Sequence, residues 1–258
     1  MQWQVKSYET LDSTNQEAYR LIRQAPAEQS LHGVVLNAAC QTAGKGRMGR
    51  IWESSADAGV WMTAIIRLCL PMEQASLYSF AAAVSVAEAI RQTTGLRAEL
   101  KWPNDVLLEG KKVCGILLEL VPRNRTEQYL AIGIGVNVNQ SENDFPAELQ
   151  HKAVSLAMQS GQREDCTRLL SAILQRLDEN CTLLEQKGFA PIREKWKQLS
   201  CMMGHTVLVQ PKGADAYTGV AEDLAMDGTL LVRTTDEIIS VIAGDVSLRA
   251  EDGGYSFR

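Results

Sequence analysis

Apolar and polar positions change their spacing several times along the chain, and each change marks an element. Trp3 to Tyr8 reads as a short strand. Behind the polar run Asp12-Ser13-Thr14-Asn15-Gln16-Glu17, residues Ala18, Leu21 and Ile22 fall at helical spacing. Ser13 with Gln16, or Thr14 with Glu17, matches a capping box there. Val34 to Cys40 has the length of a buried strand, and Gly59 to Leu70 is almost continuously apolar, as a strand covered on both faces would be. Leu77, Phe80, Ala81, Val84, Ala87 and Ile90 share one stripe of a helix that should end at Gly95. Alternation at Leu96, Ala98, Leu100 and Trp102 predicts a strand. Val106 to Leu108 and Lys112 to Glu119, joined at Glu109-Gly110-Lys111, predict a hairpin, and Tyr129 to Asn139 a further strand.

Ser141 to Gly161 is polar and irregular. Leu169, Leu170, Ile173, Leu174, Leu177, Cys181 and Leu184 then make a helical stripe, and Phe189, Ile192, Trp196 and Leu199 a second, shorter one. From about Gly204 four short β runs follow, Thr206 to Val209, Ala216 to Val220, Gly228 to Val232 and Ile238 to Ile242, broken by turn residues. That spacing argues a small β-barrel. The pattern is that of an α+β protein with a mixed sheet flanked by helices over residues 1–200 and a small β domain over 204–250.

The 258 residues carry a net charge of −5 and are 45% hydrophobic. An ordinary core is affordable, and no overall basic field exists for nonspecific nucleic-acid binding. No apolar run reaches the roughly 18 residues of a membrane span, and the N-terminus lacks a signal-peptide core. The expectation is a cytoplasmic protein without nucleic-acid or membrane partners. Six scattered cysteines include no CxxC and read as free apolar fillers. His32, His151 and His205 lack a Cys, His or Ser partner at a recognisable spacing.

The chemistry gathers in a few stretches. Gln41-Thr42-Ala43-Gly44-Lys45-Gly46-Arg47-Met48-Gly49-Arg50-Ile51-Trp52 begins where the second strand should end. Its glycines permit positive φ and close approach of main-chain N–H groups to a ligand, and Lys45, Arg47 and Arg50 add cations with no acid between Cys40 and Trp52. The loop is neither a P-loop nor a dinucleotide fingerprint, because a strand rather than a helix follows. From pattern alone it is an anion-binding loop or a solvated basic one. Lys101-Trp102-Pro103-Asn104-Asp105 suits a turn. Lys112 stands three residues before Gly115-Ile116-Leu117, with Glu119 following, and a lone lysine at a strand edge often serves only solubility. Gly133-Ile134-Gly135-Val136-Asn137-Val138-Asn139 could be a core strand whose glycines admit a close neighbour.

Taken together with Ser13-Thr14-Asn15, these stretches resemble the signature of biotin protein ligases over essentially the whole chain. Many members of that family carry Arg where this chain has Lys45. The resemblance implies a catalytic domain like that of class II aminoacyl-tRNA synthetases, followed by an SH3-like barrel. It implies activation of biotin by ATP and Mg²⁺ to biotinyl-5′-AMP, then transfer to a lysine of the biotin carboxyl carrier protein of acetyl-CoA carboxylase.

By the same resemblance, Lys112 and Arg47 are the catalytic candidates. Biotin would be held by Ser13, Thr14, Asn15, Gln41, Gly44, Lys45, Gly46, Arg47, Lys112 and Gly115. The nucleotide would lie against Lys45, Arg47, Arg50, Trp52, Asn104, Asp105, Lys112 and Asn137. No tight metal ligation is implied, since magnesium would arrive with ATP near Asp105. Part of Ser141 to Gly161 would be a lid over the adenosine. Only 12 residues precede Ser13, whereas a domain usually needs at least about 50. The expectation is therefore an enzyme without the DNA-binding domain of the repressor members. The competing readings are a lipoate or octanoate ligase or transferase of the same superfamily and a non-catalytic biotin sensor. A homodimer is left open.

Overall fold

The computed structural model describes residues 2–211, 213 and 215–242, with the backbone of 246–250. Its first layer is a seven-stranded sheet: β1 (Gln4–Leu11), β2 (Val34–Gln41), β3 (Gly59–Arg67), β4 (Glu99–Lys101), β5 (Asp105–Leu108), β6 (Lys111–Pro122) and β7 (Gln128–Asn137). The order is β1-β2-β3-β7-β6-β5-β4. β1 and β2 run parallel, which requires a crossover, and α1 (Thr14–Gln24) supplies it. All other pairs are antiparallel, so the sheet is mixed as expected.

The continuous apolar run of β3 has the anticipated cause. Val60, Met62, Ala64 and Ile66 face the large core, while Ile65 joins a smaller cluster with Ala18 and Ile22 of α1. The large core is closed by α2 (Leu77–Thr94), α4 (Cys166–Lys187) and α5 (Phe189–Leu199), while α3 (Leu156–Ser160) is a single short turn. α2 ends at Gly95 in the left-handed conformation, φ 74°, as its glycine predicted. Burial of α2 exceeds one stripe. Tyr78, Ala82, Ala83, Ser85, Val86 and Ala89 are also buried, because α4 and α5 cover the side away from the sheet. The three alanines there let helices approach closely.

Several boundaries differ from expectation. β4 keeps only three residues, since Ala98 already bonds to Leu96 and the Arg91 guanidinium holds the Ala98 carbonyl. Ser141 to Gly161 is not wholly irregular. Ser141 and Asp144 form a capping box, and Ser155 caps α3 through its hydroxyl.

The C-terminal strands β8 (Thr206–Pro211), β9 (Tyr217–Leu224), β10 (Leu230–Arg233), β11 (Ile238–Val241) and β12 (Val246–Ala250) form an antiparallel sheet in the order β11-β10-β9-β8-β12. The fifth strand lies beyond the four runs read from the sequence. This sheet is anchored rather than tethered. Val207, Val209, Ala221 and Leu230 belong to the large core, the Trp102 indole donates to the Gly228 carbonyl at 3.0 Å, and Arg193 pairs with Asp223. Among the described residues no helix is long and apolar enough to cross a membrane.

Candidate active site

A cavity of about 300 Å³ opens on the face of the large sheet that carries α1. Its floor is where β6 and β7 lose their side chains: Gly115 pairs with Gly135, and Leu117 with Gly133. A Cβ on Gly135 would stand 2.5 Å from the Trp52 indole nitrogen, one on Gly115 2.9 Å from its ring, and one on Gly133 2.2 Å from Asn15 Oδ1. The glycines therefore exist so that other groups can touch the sheet backbone.

Lys112 reaches the same cavity through a bulge. The β5–β6 register steps from Val106↔Cys114 to Leu107↔Lys112, leaving Val113 as the extra residue. Val113 and Cys114 are both buried in the large core. A bulge inverts the alternation of faces, so Lys112 and Gly115, three apart, both line the cavity. The Lys112 ammonium lies 2.6 Å from Asp105 Oδ1 and 5.4 Å from the centre of the Trp52 ring. Its main chain is held by the 149–154 segment, with Lys112 N donating to the Lys152 carbonyl at 2.8 Å and Val154 N to the Lys112 carbonyl at 3.0 Å. Burial pushes the neighbouring Cys114 thiol up, which makes it unfit as a nucleophile.

The glycine loop is a tight hairpin. Lys45 and Ile51 pair, Gly46 N donates to the Arg50 carbonyl and Trp52 N to the Gly44 carbonyl, and the tip turns at Met48 (φ 58°) and Gly49 (φ 74°). Of the three glycines only Gly49 uses positive φ. Gly44 is needed for space, since a Cβ there would sit 2.3 Å from the Trp52 carbonyl. The expected cradle of free amides is also smaller, because the Gly46 amide is spent inside the hairpin. Arg47 turns inward and donates to Asn104 Oδ1 at 2.8 Å. Asn104 in turn donates to the Ile116 carbonyl at 2.6 Å and accepts from Ile116 N. Asn104 is thus a bracket aiming Arg47. Burial lowers the Arg47 pKa, opposed by Asp105 and aided by Arg50. Lys45 points outward to Gln16 at 2.6 Å.

The start of α1 closes the other end. Ser13 is the N-cap residue, yet no hydroxyl caps the helix, so the capping box does not form. The Thr14 amide and hydroxyl both go to Gln41 Oε1, and Gln41 Nε2 donates to Ser54 Oγ at 2.8 Å. Asn15 donates to Glu119 at 2.7 Å and to the Leu117 carbonyl, and accepts from the Thr63 hydroxyl at 2.6 Å. Ser13, Thr14, Asn15 and Thr63 are all buried.

All residues singled out in the sequence lie at or beside this cavity. Gly44 stands behind the loop, and Asn137 is occupied by Val154 and Gln140. Sequence reading did not single out Thr63, Ser54 or Lys152, and it named Lys101 only within its stretch, with no role of its own. Thr63 alone left a signal, a lone hydroxyl inside an apolar strand. The three histidines are elsewhere.

The cavity lining carries Lys45, Arg47, Arg50, Lys101, Lys112 and Lys152 against the single acid Asp105, a balance of six minus one, or +5. This local sign opposes the −5 of the whole chain. Among the described residues no group of three His, Cys, Asp or Glu could hold a metal ion, and Asp105 is engaged by Lys112. The excess of positive charge suits the site to an anion.

Comparison with known proteins follows the same line. The profile of the "Biotin/lipoate A/B protein ligase family" matches residues 7–137, and that of the "Biotin protein ligase C terminal domain" residues 204–249. The chain is 34% identical to the bifunctional ligase/repressor BirA of Bacillus subtilis over 93% of its own length and 73% of that protein. It is 30% identical to the biotin–[acetyl-CoA-carboxylase] ligase of Mycobacterium tuberculosis, over 91% and 85%. The structure of biotin protein ligase from Aquifex aeolicus in complex with biotin and ATP superimposes with a TM-score of 0.81 at 30% identity, covering 96% of this chain and 99% of that one. The fold, the cationic cavity and these matches agree, and the chain belongs to the biotin/lipoate A/B protein ligase family.

Proposed function

We propose that this protein is an ATP-dependent biotin protein ligase that forms biotinyl-5′-AMP and transfers the biotinyl group to a lysine of a biotin carboxyl carrier protein. The observation that carries the choice of acid is the polar closed end of the cavity. Ser13, Thr14, Asn15 and Thr63 offer buried donors and acceptors. A ureido ring, with two N–H groups and a carbonyl, can use them. A dithiolane or an alkyl tail cannot exchange hydrogen bonds with them and would gain nothing polar at this end.

The charged end serves the chemistry. A biotin carboxylate oxygen attacks the α-phosphorus of MgATP, the P–O bond to pyrophosphate breaks, and a mixed anhydride forms. Both reactants are anions, so Lys112 and Arg47 act by neutralising charge as it gathers between them. Asn104 and Asp105 aim those two cations. The carrier lysine amine then attacks the acyl carbon, the anhydride C–O bond breaks, AMP departs and the nitrogen loses its proton. No covalent enzyme intermediate is needed.

The deciding assay is ATP–pyrophosphate exchange. Exchange should depend on biotin and be absent with lipoate or octanoate. Exchange driven by lipoate alone would transfer the assignment to the lipoate branch, and biotin binding without exchange would favour a sensor.

A further inference from the structure

Of the six cations at the cavity, four already have protein partners. Lys45 holds Gln16, Arg47 holds Asn104, Lys112 holds Asp105, and Lys101 is also engaged. Lys152 lines the cavity, and its side chain makes no hydrogen bond or ion pair among the described residues. Lys152 is exposed, and a solvated lysine at a rim would look similar by that measure alone. Its main chain is what sets it apart. The Lys152 carbonyl accepts from Lys112 N at 2.8 Å, and Val154 N returns a bond to the Lys112 carbonyl at 3.0 Å. Two bonds therefore fix the backbone of Lys152 beside Lys112, the lysine assigned above to the α-phosphate.

We propose that Lys152 binds the β- and γ-phosphates of the nucleotide, and so also the leaving pyrophosphate. The inference rests on the ligase reading above. A compact ammonium on a flexible stem is suited to a phosphate chain rather than to a base or a sugar. The α-phosphate and the carboxylate are claimed by Lys112 and Arg47, so the flexible amine of the residue whose backbone is pinned next to Lys112 is left for the next anion along the chain. Lys152 falls in the Ser141 to Gly161 stretch expected over the adenosine, but outside the motifs quoted for the resemblance, so it was not singled out.

Lys152→Met tests this cleanly, because the carbonyl that straps Lys112 is main chain and survives any substitution. The two half-reactions separate the possibilities. In biotin-dependent exchange the KM for MgATP should rise about tenfold or more, with the KM for biotin unchanged. Transfer from preformed biotinyl-5′-AMP to the carrier involves no polyphosphate and should stay within about twofold of the unsubstituted protein. Lys152→Arg, which keeps the charge, should recover most of the loss. An unchanged KM for MgATP would overturn the inference and leave Lys152 a solvated side chain. Equal loss in both half-reactions would overturn it in favour of a contact with the adenylyl part. Absence of exchange by the unsubstituted protein would remove the ligase reading and this inference with it, whereas normal exchange by Lys152→Met removes this inference alone.

Discussion

Replacing Lys112 by Ala removes one charge and exposes another. The Lys112 side chain is 31% exposed and that of Asp105 20%, so the pair sits in a partly dry site with Nζ 2.6 Å from Oδ1. A unit charge about 4 Å from the developing negative charge contributes roughly 4 kcal/mol at an effective dielectric near 20. That is about a thousandfold in rate. The substitution also strips Asp105 of its counter-ion and leaves a carboxylate facing two anionic reactants. At about 6 Å that repulsion adds roughly 3 kcal/mol. Biotin-dependent exchange should therefore fall by about 10³ to 10⁵ in Lys112→Ala. Adding Asp105→Asn should restore up to about a hundredfold of it. The fold should persist, since the bonds from residue 112 to Lys152 and Val154 are main chain and the buried anchors Val113 and Cys114 are untouched. A thermal melt alongside the exchange assay checks this. Exchange by Lys112→Ala within about tenfold of the parent would refute the charge argument. A double variant no faster than the single one would refute its repulsive half.

Two further outcomes follow from local geometry. Gly133→Ala would set a Cβ 2.2 Å from Asn15 Oδ1, expelling Asn15 from its bonds to Thr63 and Glu119. Biotin affinity by calorimetry should drop about ten- to a hundredfold, and unaltered affinity would detach Asn15 from the acid's site. At the outer end of α1, the Arg20 guanidinium holds the Asp12 carboxyl down at about 2 from an ordinary 3.8. Its folded value is depressed, so the contribution to stability is present above about pH 4 and fades as pH falls through 2. In Arg20→Gln the NMR midpoint of Asp12 should climb toward 3.8, and an unmoved midpoint would mean that the pair is not formed in solution.

Most of the elements were legible because their apolar spacing reports burial directly. β3 showed itself by lacking alternation and α2 by its Gly95 stop. What escaped were features set by competition among neighbours. Ser13-Thr14-Asn15-Gln16 has the letters of a cap, but Gln41 and Thr63 outbid the helix for the Thr14 and Asn15 side chains. The glycine loop announced an anion, yet which amides remain free depends on a hairpin that the composition does not specify. The spacing from Lys112 to Gly115 became intelligible only with the bulge at Val113. Simple alternation would have put the two on opposite faces. Lys152 was covered only by the broad expectation of a lid over 141–161, since its place is set by two main-chain bonds to a residue 40 positions earlier.

The two ends of the cavity differ in how much of their bonding is already spent, and this decides what each can contribute. At the closed end Thr14, Asn15, Thr63 and Gln41 satisfy one another. A ligand there exchanges one hydrogen bond for another, with a net gain of only about 1 kcal/mol apiece, while a ligand without polar groups gains none. That end selects. At the open end the Trp52 indole nitrogen is buried without a partner, and the positive side chains outnumber the negative by five. Lys45, Arg50 and Lys152 are exposed there, so an anion that enters is bound by the excess of positive charge. On the ligase reading proposed above, the acid is chosen where the bonds are closed and activated where the positive charge is in excess. A variant of the first kind should change which acid is used, and one of the second kind how fast any acid is activated.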